Sequence, residues 1–237
     1  MTAAQAMILA AGRGQRMRPL TDQRPKPLLS VRGQALIDWH VRALARGGFE
    51  QLLVNTAWLG EQIEPHLTPL AEQLGCQISY SHEGRDFGDA LETAGGIARA
   101  LPDLADVFWV VAGDVFMPQF EFTANAVERF IRSPALAHLW LVPNPPHNPG
   151  GDFGLDGQRA LNLPAGDAGR RHTFSTVGLY RQSFFGSLPA GNPQGIKAAL
   201  APLLRRAMDN GQVSADVYPG AWTDVGTPER LAELNRA

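Results

Sequence analysis

An apolar run of β character, Ala6 to Ala10, opens directly into a turn holding Gly12 and Gly14, and no other stretch constrains the fold as tightly. Glycines let backbone N–H groups come close to a polyanion, and turns of successive N–H groups form anion-binding concavities. Arg13, Arg16 and Arg18 follow, then Lys26 held between Pro25 and Pro27. Residues 13–32 carry six basic side chains and one acid, Asp22, in a chain whose net charge is −2. That is a local positive field of the kind a triphosphate site needs. A Walker loop requires a Gly-Lys pair, and none occurs in the chain. A dinucleotide fingerprint wants a third glycine where Met17 stands, and a ribose-binding acid that the second strand lacks.

Strand-like runs alternate with helical ones beyond this loop. Ala35–Arg46 has helical apolar spacing and stops at Gly47-Gly48, and Gln51–Asn55 reads as the second strand. Leu59–Leu74 is helical but holds Pro65 and Pro69, so the pattern predicts a broken helix. Gln77–Ser81 is a third strand, Thr93–Leu101 a helix, and Val107–Ala112 a buried strand ending at Gly113-Asp114. Phe122–Ile131 is helical and Leu139–Val142 is again a strand. This rhythm predicts an α/β fold, a single doubly wound and mostly parallel sheet of Rossmann-like character. After Pro143 the texture changes to Pro, Gly, Asn and Asp, with short strands near 153–155 and 160–163. His172–Tyr180 and Val213–Pro219 read as strands, Ile196–Asp209 and Leu231–Asn235 as helices. One domain over 1–237 is expected, in two halves at 1–142 and 143–237. Ligands in such sheets sit at the carboxyl ends of the strands.

Composition excludes several classes. No apolar run approaches the roughly 20 residues of a membrane span, and the N-terminal apolar stretch is too short for a signal peptide. The expected compartment is the cytoplasm. A near-neutral charge argues against nucleic acid, and nothing in the chain demands an obligate protein partner. Cys76 is the one cysteine and reads as a small core residue; the six histidines show no zinc spacing. Lysine occurs only at 26 and 197, so 19 of the 21 Lys and Arg residues are arginine. A lysine here therefore suggests a need for a compact ammonium rather than a planar guanidinium.

The segment L-A-A-G-R-G-Q-R-M-R-P-L-T, followed by P-K-P-L at 25–28, resembles the signature of the sugar-phosphate nucleotidyltransferases over some twenty residues. The resemblance implies transfer of a nucleotidyl group from a nucleoside triphosphate to a sugar 1-phosphate, with pyrophosphate released. Such chemistry brings two anions together, so the site needs cations: Mg²⁺, Arg and Lys. Leu9, Ala10, Ala11, Gly12, Arg13 and Gly14 are then expected to bind the nucleotide. Arg18 is expected to neutralise the leaving phosphates, and Lys26 to hold the sugar phosphate and stabilise charge at the α-phosphorus. Without the resemblance, Lys26 reads as a surface-loop lysine.

Asp114 follows the apolar run 107–113. A carboxylate at the tip of a buried strand is costly unless paired with a cation; a turn or cap aspartate is the other reading. The resemblance makes it a metal ligand, and it makes Asp224, in W-T-D-V-G-T-P, the second. L-E-T-A-G-G at 91–96 resembles the segment that contacts base and ribose, which gives roles to Glu92, Gly95 and Gly96; a helix N-terminal acid is an equal reading of Glu92. Thr176-Val177-Gly178 resembles the family's sugar-contacting N-T-G, with Thr where Asn is usual, so Thr176 and Gly178 are expected to face the sugar; the family's E-K-P glutamate has no clear counterpart, and Asp152 is the candidate to replace it. N-P-P-H with G-D-F (144–153), L-E-T-A-G-G and T-F-S-T-V-G-L-Y (173–180) most resemble the N-acetylmuramic acid 1-phosphate uridylyltransferases of peptidoglycan recycling. UTP is then the expected nucleotide, and the resemblance makes 1–142 the nucleotide-binding half and 143–237 the sugar-binding half. The alternatives are a mannose-1-phosphate guanylyltransferase and a non-catalytic sugar-nucleotide-binding regulator of the same fold. A muramic lactyl group would want a cation, for which Arg170, Arg171 and His172 are candidates on charge alone.

Overall fold

The structure is a computed structural model that describes residues 3–164, 166–167 and 171–236. β1 (Ala4–Leu9) leads through the glycine turn to a small hairpin, β2 (Ser30–Val31) and β3 (Gln34–Ala35), and then to α1 (Leu36–Arg46). β4 (Gln51–Thr56), α2 (Ile63–Leu74) and β5 (Gln77–His82) follow, then α3 (Glu83–Phe87), α4 (Glu92–Ala100) and the long β6 (Leu104–Ala112). β7 (Val115–Phe116), α5 (Ala124–Arg132) and β8 (Ala137–Val142) complete the alternating part. The remainder holds β9 (Phe153–Asp156), β10 (Arg159–Leu161), β11 (Arg171–Arg181), α6 (Leu200–Asp209), β12 (Val213–Val217), β13 (Thr223–Asp224) and α7 (Pro228–Arg236). α2 runs unbroken, against expectation. Pro65 falls in its first turn, where a missing N–H costs nothing, and Pro69 removes one donor without ending the helix. α6 starts at Leu200 rather than Ile196.

Nine strands form one sheet in the order β5-β4-β1-β6-β11-β8-β12-β10-β9. β5, β4, β1 and β6 pair in parallel, as do β8 and β12. β11 is antiparallel to both β6 and β8, and the β9–β10 hairpin joins antiparallel to β12. The sheet is therefore mixed, which corrects the expectation of a mostly parallel one. A parallel neighbour needs a long crossover, usually through a helix. Between β8 and β11 the described chain offers a loop and a hairpin, so β11 returns antiparallel. β9 also pairs with β11 and closes β11, β8, β12, β10 and β9 into a five-stranded ring.

Alternation along β6 divides the core between the two faces of the sheet. Trp109 and Val111 pack with Ile37, Val41, Leu44 and Leu67 of α1 and α2. Phe108 and Val110 pack on the other face with Ala94 and Ile97 of α4 and with Leu200 and Leu204 of α6. Met17, Leu29, Phe116 and Val225 make a third, smaller cluster that ties the glycine turn to β7 and to the segment after β13. β13 pairs with β7 so that Asp224 lies opposite Val115, the neighbour of Asp114. The carboxyl ends of β1 and β6 and the β7–β13 ladder thus meet around the turn.

Candidate active site

Three cavities open at this edge, and Leu9 at the end of β1 lines all of them. The first, of about 360 Å³, is walled by Gly12, Gly14, Arg16, Lys26 and Asp114. The second is larger, about 670 Å³, and lies between β6, β11 and α6. The third, about 210 Å³, shares Gly12 and Asp114 with the first, and Glu92 and Thr93 with the second. Together they form one cleft with a polar end and an apolar end.

Lys26 is 8% exposed, and its Nζ lies 2.5 Å from Asp114 Oδ2. Burial of the stem between two prolines fixes a flexible side chain at the cavity wall, which lowers the cost of orienting it. Gly14 has φ +65, and a Cβ there would meet Lys26 Cβ at 3.2 Å, so the turn needs glycine both for its backbone and for the lysine's approach. Above Gly12 nothing lies within 4 Å, which leaves its backbone open to the cavity. Ala10 N donates to Asn55 Oδ1 at 2.8 Å and Ala11 faces the third cavity.

The three arginines of the loop go separate ways. Arg13 stacks 3.6 Å from the Trp58 ring centroid and donates to Thr21 O and Asp22. Arg18 is largely exposed and pairs with the same aspartate at 2.9 Å. The Arg13 hydrogen bond foremost, and Arg18 beside it, hold the Asp22 carboxyl below its ordinary value. Arg16 is the one that lines the first cavity, beside Gly226. The structure therefore brings Arg16, not Arg18, to the site. A tight turn over Gln15–Met17, anchored by the fully buried Met17, decides which arginine faces inward.

Asp224 Oδ1 accepts from Arg230, and His147 Nε2 lies 3.7 Å from its Oδ2. Val225 N donates to Asp114 O at 3.2 Å, so the two aspartates sit on adjoining backbone. Asp114 and Asp224, each beside a basic group, are the two carboxylates here that could hold a hard divalent cation with phosphate and water as its other ligands; among the described residues no group of three or more His, Cys, Asp or Glu is placed to hold one. His40 of α1 stands behind this ladder. Its burial pushes the imidazole down to about 4, so the ring is neutral and Nε2–H donates to Val115 O at 2.8 Å.

Glu83 was missed in the sequence. It is fully buried, accepts from Asn55 Nδ2 and Leu91 N at 2.7 Å each, and borders the third cavity. Burial raises its carboxyl above the ordinary value, against the two hydrogen bonds that lower it. This bridge ties the ends of β1 and β4 to the start of α4. Glu92 has φ +59 and lines the second and third cavities. Gly95 and Gly96 line none of these three cavities. A Cβ on Gly95 would meet Ile196 O at 2.4 Å, and one on Gly96 would meet Glu83 Oε1 at 2.4 Å. The glycine pair serves close packing of chain on chain, a role that the expected nucleotide contact does not predict.

Asp152 and Thr176 line the second cavity. Asp152 Oδ2 accepts from Phe174 N at 2.8 Å and Oδ1 from Asn148 at 3.2 Å. Thr176 has φ +68, and its buried hydroxyl has no partner among the described residues. Gly178 does not line the cavity: it sits at the β11–β8 irregularity, where a Cβ would meet the Tyr180 ring at 2.8 Å. Arg171 is buried and donates to the carbonyls of Gly150, Gly151, Asp152 and Leu163, so it holds the loop instead of a ligand. His172 pairs with Phe153 in the β11–β9 ladder. Arg170 lies outside the described residues.

A family model described as nucleotidyl transferase matches residues 5–156. The chain is 49% identical over 235 residues to the N-acetylmuramate alpha-1-phosphate uridylyltransferase of Neisseria meningitidis serogroup B, covering 97% of this chain and 96% of that protein. It is 31% identical over 242 residues to the protein of the same name from Caulobacter vibrioides, covering 96% and 97%. Mannose-1-phosphate guanylyltransferase catalytic subunit beta of Danio rerio is 26% identical over 95% of this chain and 62% of its own. A crystal structure of a Bacillus anthracis chain provisionally assigned as a glucose-1-phosphate thymidylyltransferase superposes with a TM-score of 0.79 at 19% identity, covering 99% of this chain and 94% of that one.

Proposed function

Because the chain belongs to the nucleotidyl transferase family, we propose that it transfers a uridylyl group from UTP to N-acetylmuramic acid 1-phosphate, giving the UDP-sugar and pyrophosphate. The observation that carries the reaction class is the buried Lys26 ammonium against Asp114, on the wall of a cavity whose floor is an open glycine turn. The sugar and the base rest on the near-complete coverage of the Neisseria relative at 49% identity.

In this reading the sugar-phosphate oxygen attacks the α-phosphorus in line and pyrophosphate leaves. The backbone N–H groups of the Gly12–Gly14 turn receive the phosphates, and Lys26 holds charge at the α-phosphorus. Arg16 takes the charge of the leaving pyrophosphate, the role the sequence assigned to Arg18. Glu92 and Thr93, at the junction of the second and third cavities, stand where nucleotide meets sugar. Asp152 and Thr176 face the sugar. Asp114 and Asp224 would hold Mg²⁺, which supplies charge neutralisation of the phosphates when bound. The nucleotide end draws on residues before 142 together with Gly226, and the sugar end on both halves. A cytoplasmic setting is part of the same proposal; among the described residues no helix is long and apolar enough to cross a membrane.

The test is pyrophosphate release, with and without Mg²⁺, for UTP and GTP against N-acetylmuramic acid, N-acetylglucosamine and mannose 1-phosphates. Release with UTP and the muramic substrate is expected. Preference for GTP and mannose 1-phosphate would keep the mechanism and replace the substrates. Silence of the folded protein across the panel would favour a binding regulator.

A further inference from the structure

We propose that Arg205 reads the carboxylate that separates a muramic sugar from its uncharged relatives; the inference rests on the substrate proposed above. N-acetylmuramic acid carries a lactyl ether that N-acetylglucosamine lacks, and the ether ends in a carboxylate that is ionised at neutral pH. Taking such a group out of water is costly unless a cation or several N–H donors meet it.

The second cavity has three charged side chains in its described lining: Glu92, Asp152 and Arg205. Two of these are acids, and both oxygens of Asp152 already accept hydrogen bonds within the protein. Arg205 is the cation. It lines only the second cavity, whereas Glu92 also lines the third. The positive charge therefore sits away from the nucleotide side, where a substituent on the far part of the sugar would reach. Leu200, Ala201 and Leu204 of the same helix share the wall with Phe153 and Phe174. An apolar wall excludes water and strengthens an ion pair formed against it.

The guanidinium is held for this task. It lies 5.3 Å from the centroid of the Phe153 ring, and Nη1 donates to Asn162 Oδ1 at 2.8 Å. Asn162 is itself oriented by its amide bonds to the Asp209 carboxylate at 3.1 and 3.3 Å. Among the described residues that bond occupies Nη1. The Nε–Nη2 edge is left, the fork that grips a carboxylate in two parallel hydrogen bonds. An arginine whose plane is fixed on one side and whose fork is open on the other discriminates by charge and by geometry together.

The experiment compares kcat/KM, with UTP, for N-acetylmuramic acid 1-phosphate and its lactyl methyl ester. Wild-type protein should prefer the acid by about 100-fold, the scale of a desolvated charge-assisted pair. Arg205→Met should bring the acid-to-ester ratio to within about threefold of one, and Arg205→Lys, which keeps charge but not the fork, should fall between. Persistence of the wild-type ratio in Arg205→Met would overturn the inference, as would a parallel loss on acid and ester. Should Arg205→Met fail to fold by circular dichroism, the ratio is read from Arg205→Lys, where an unchanged value overturns the assignment. Wild-type protein that ignores the muramic substrate while using another sugar phosphate would overturn the substrate reading, and this inference with it.

Discussion

The two ends of the cleft are assembled in opposite ways. At the phosphate end, Gly12, Gly14, Arg16 and Lys26 lie within one short segment, and only Asp114 and Gly226 come from elsewhere in the wall described above. At the sugar end the wall runs from Leu9 to Arg205 through β1, α4, β6, β9, β11 and α6, and it encloses about 670 Å³ against about 360 Å³. Phosphate recognition asks for backbone N–H groups and point charges, which a turn supplies locally. A sugar needs a shaped wall with a few placed polar groups, which takes several elements at once. One end is a motif; the other is a consequence of tertiary packing.

The comparison breaks first at Lys26. If the phosphate end carries the chemistry, Lys26→Ala should lower kcat by about 10³-fold, about 4 kcal/mol of transition-state stabilisation. The fold should survive, because Asp114 keeps access to water at 38% side-chain exposure. Single-turnover kinetics with circular dichroism check both halves of this statement. A variant that retained a tenth of wild-type turnover would take the ammonium out of the chemistry.

His40 tests whether the phosphate end also carries a pH-dependent part of the stability. Its folded value is depressed from 6.5 to about 4 by burial. Stability from this group is therefore complete above pH 6.5 and lost as pH falls from there to about 4, by about 3 kcal/mol in all. Glu83 works against it, since its raised carboxyl contributes fully below its ordinary value and less as pH climbs. Urea unfolding of wild type and His40→Gln between pH 7 and 4 separates the two, because Glu83 is common to both. The wild type should lose more stability than the variant; parallel curves would clear His40 of the titration.

Much of the phosphate end was legible in the sequence, because glycine turns, proline-fixed lysines and strand-end aspartates are contiguous signals. The choice of Arg16 over Arg18 was not, since two arginines two residues apart are separated only by the local turn and the burial of Met17. The direction of β11 was hidden as well: its strand pattern is plain, but pairing direction depends on what connects it to β8. Gly95 and Gly96 show the limit most clearly. A glycine pair announces a close approach without saying whether ligand or chain makes it. Arg205 offered no signal at all among the other arginines, because only the packing of α6 on Phe153 brings it to a cavity.

Two glycine substitutions sharpen the contrast. Gly95→Ala places a methyl 2.4 Å from Ile196 O and should cost about 2 kcal/mol of stability, as overpacking does. Gly12→Ala meets nothing within 4 Å and should leave stability within about 0.5 kcal/mol. Its methyl occupies the space that phosphate needs, so kcat/KM for UTP should fall about tenfold. Thermal unfolding and initial rates on both proteins measure this. If Gly95→Ala were stable but lost UTP affinity, a direct nucleotide contact would replace the packing role.

The smallest effect expected is at Thr176, where the sugar end stores strain. A β-branched residue at φ +68 is in the left-handed region that such side chains rarely enter, at a cost of about 1 kcal/mol or more. Asparagine tolerates that backbone, and the side chain faces a cavity with room for it. Thr176→Asn should therefore raise stability by about 1 kcal/mol, which denaturant unfolding resolves. Because Thr176 lines the second cavity, the same change should also raise KM for the sugar phosphate about threefold with kcat held. Stability gained without a change in KM would make the strain an accident of β11 packing. Stability lost would mean that the wall of the sugar end, although spread over the chain, is as tightly specified as the turn at the other end.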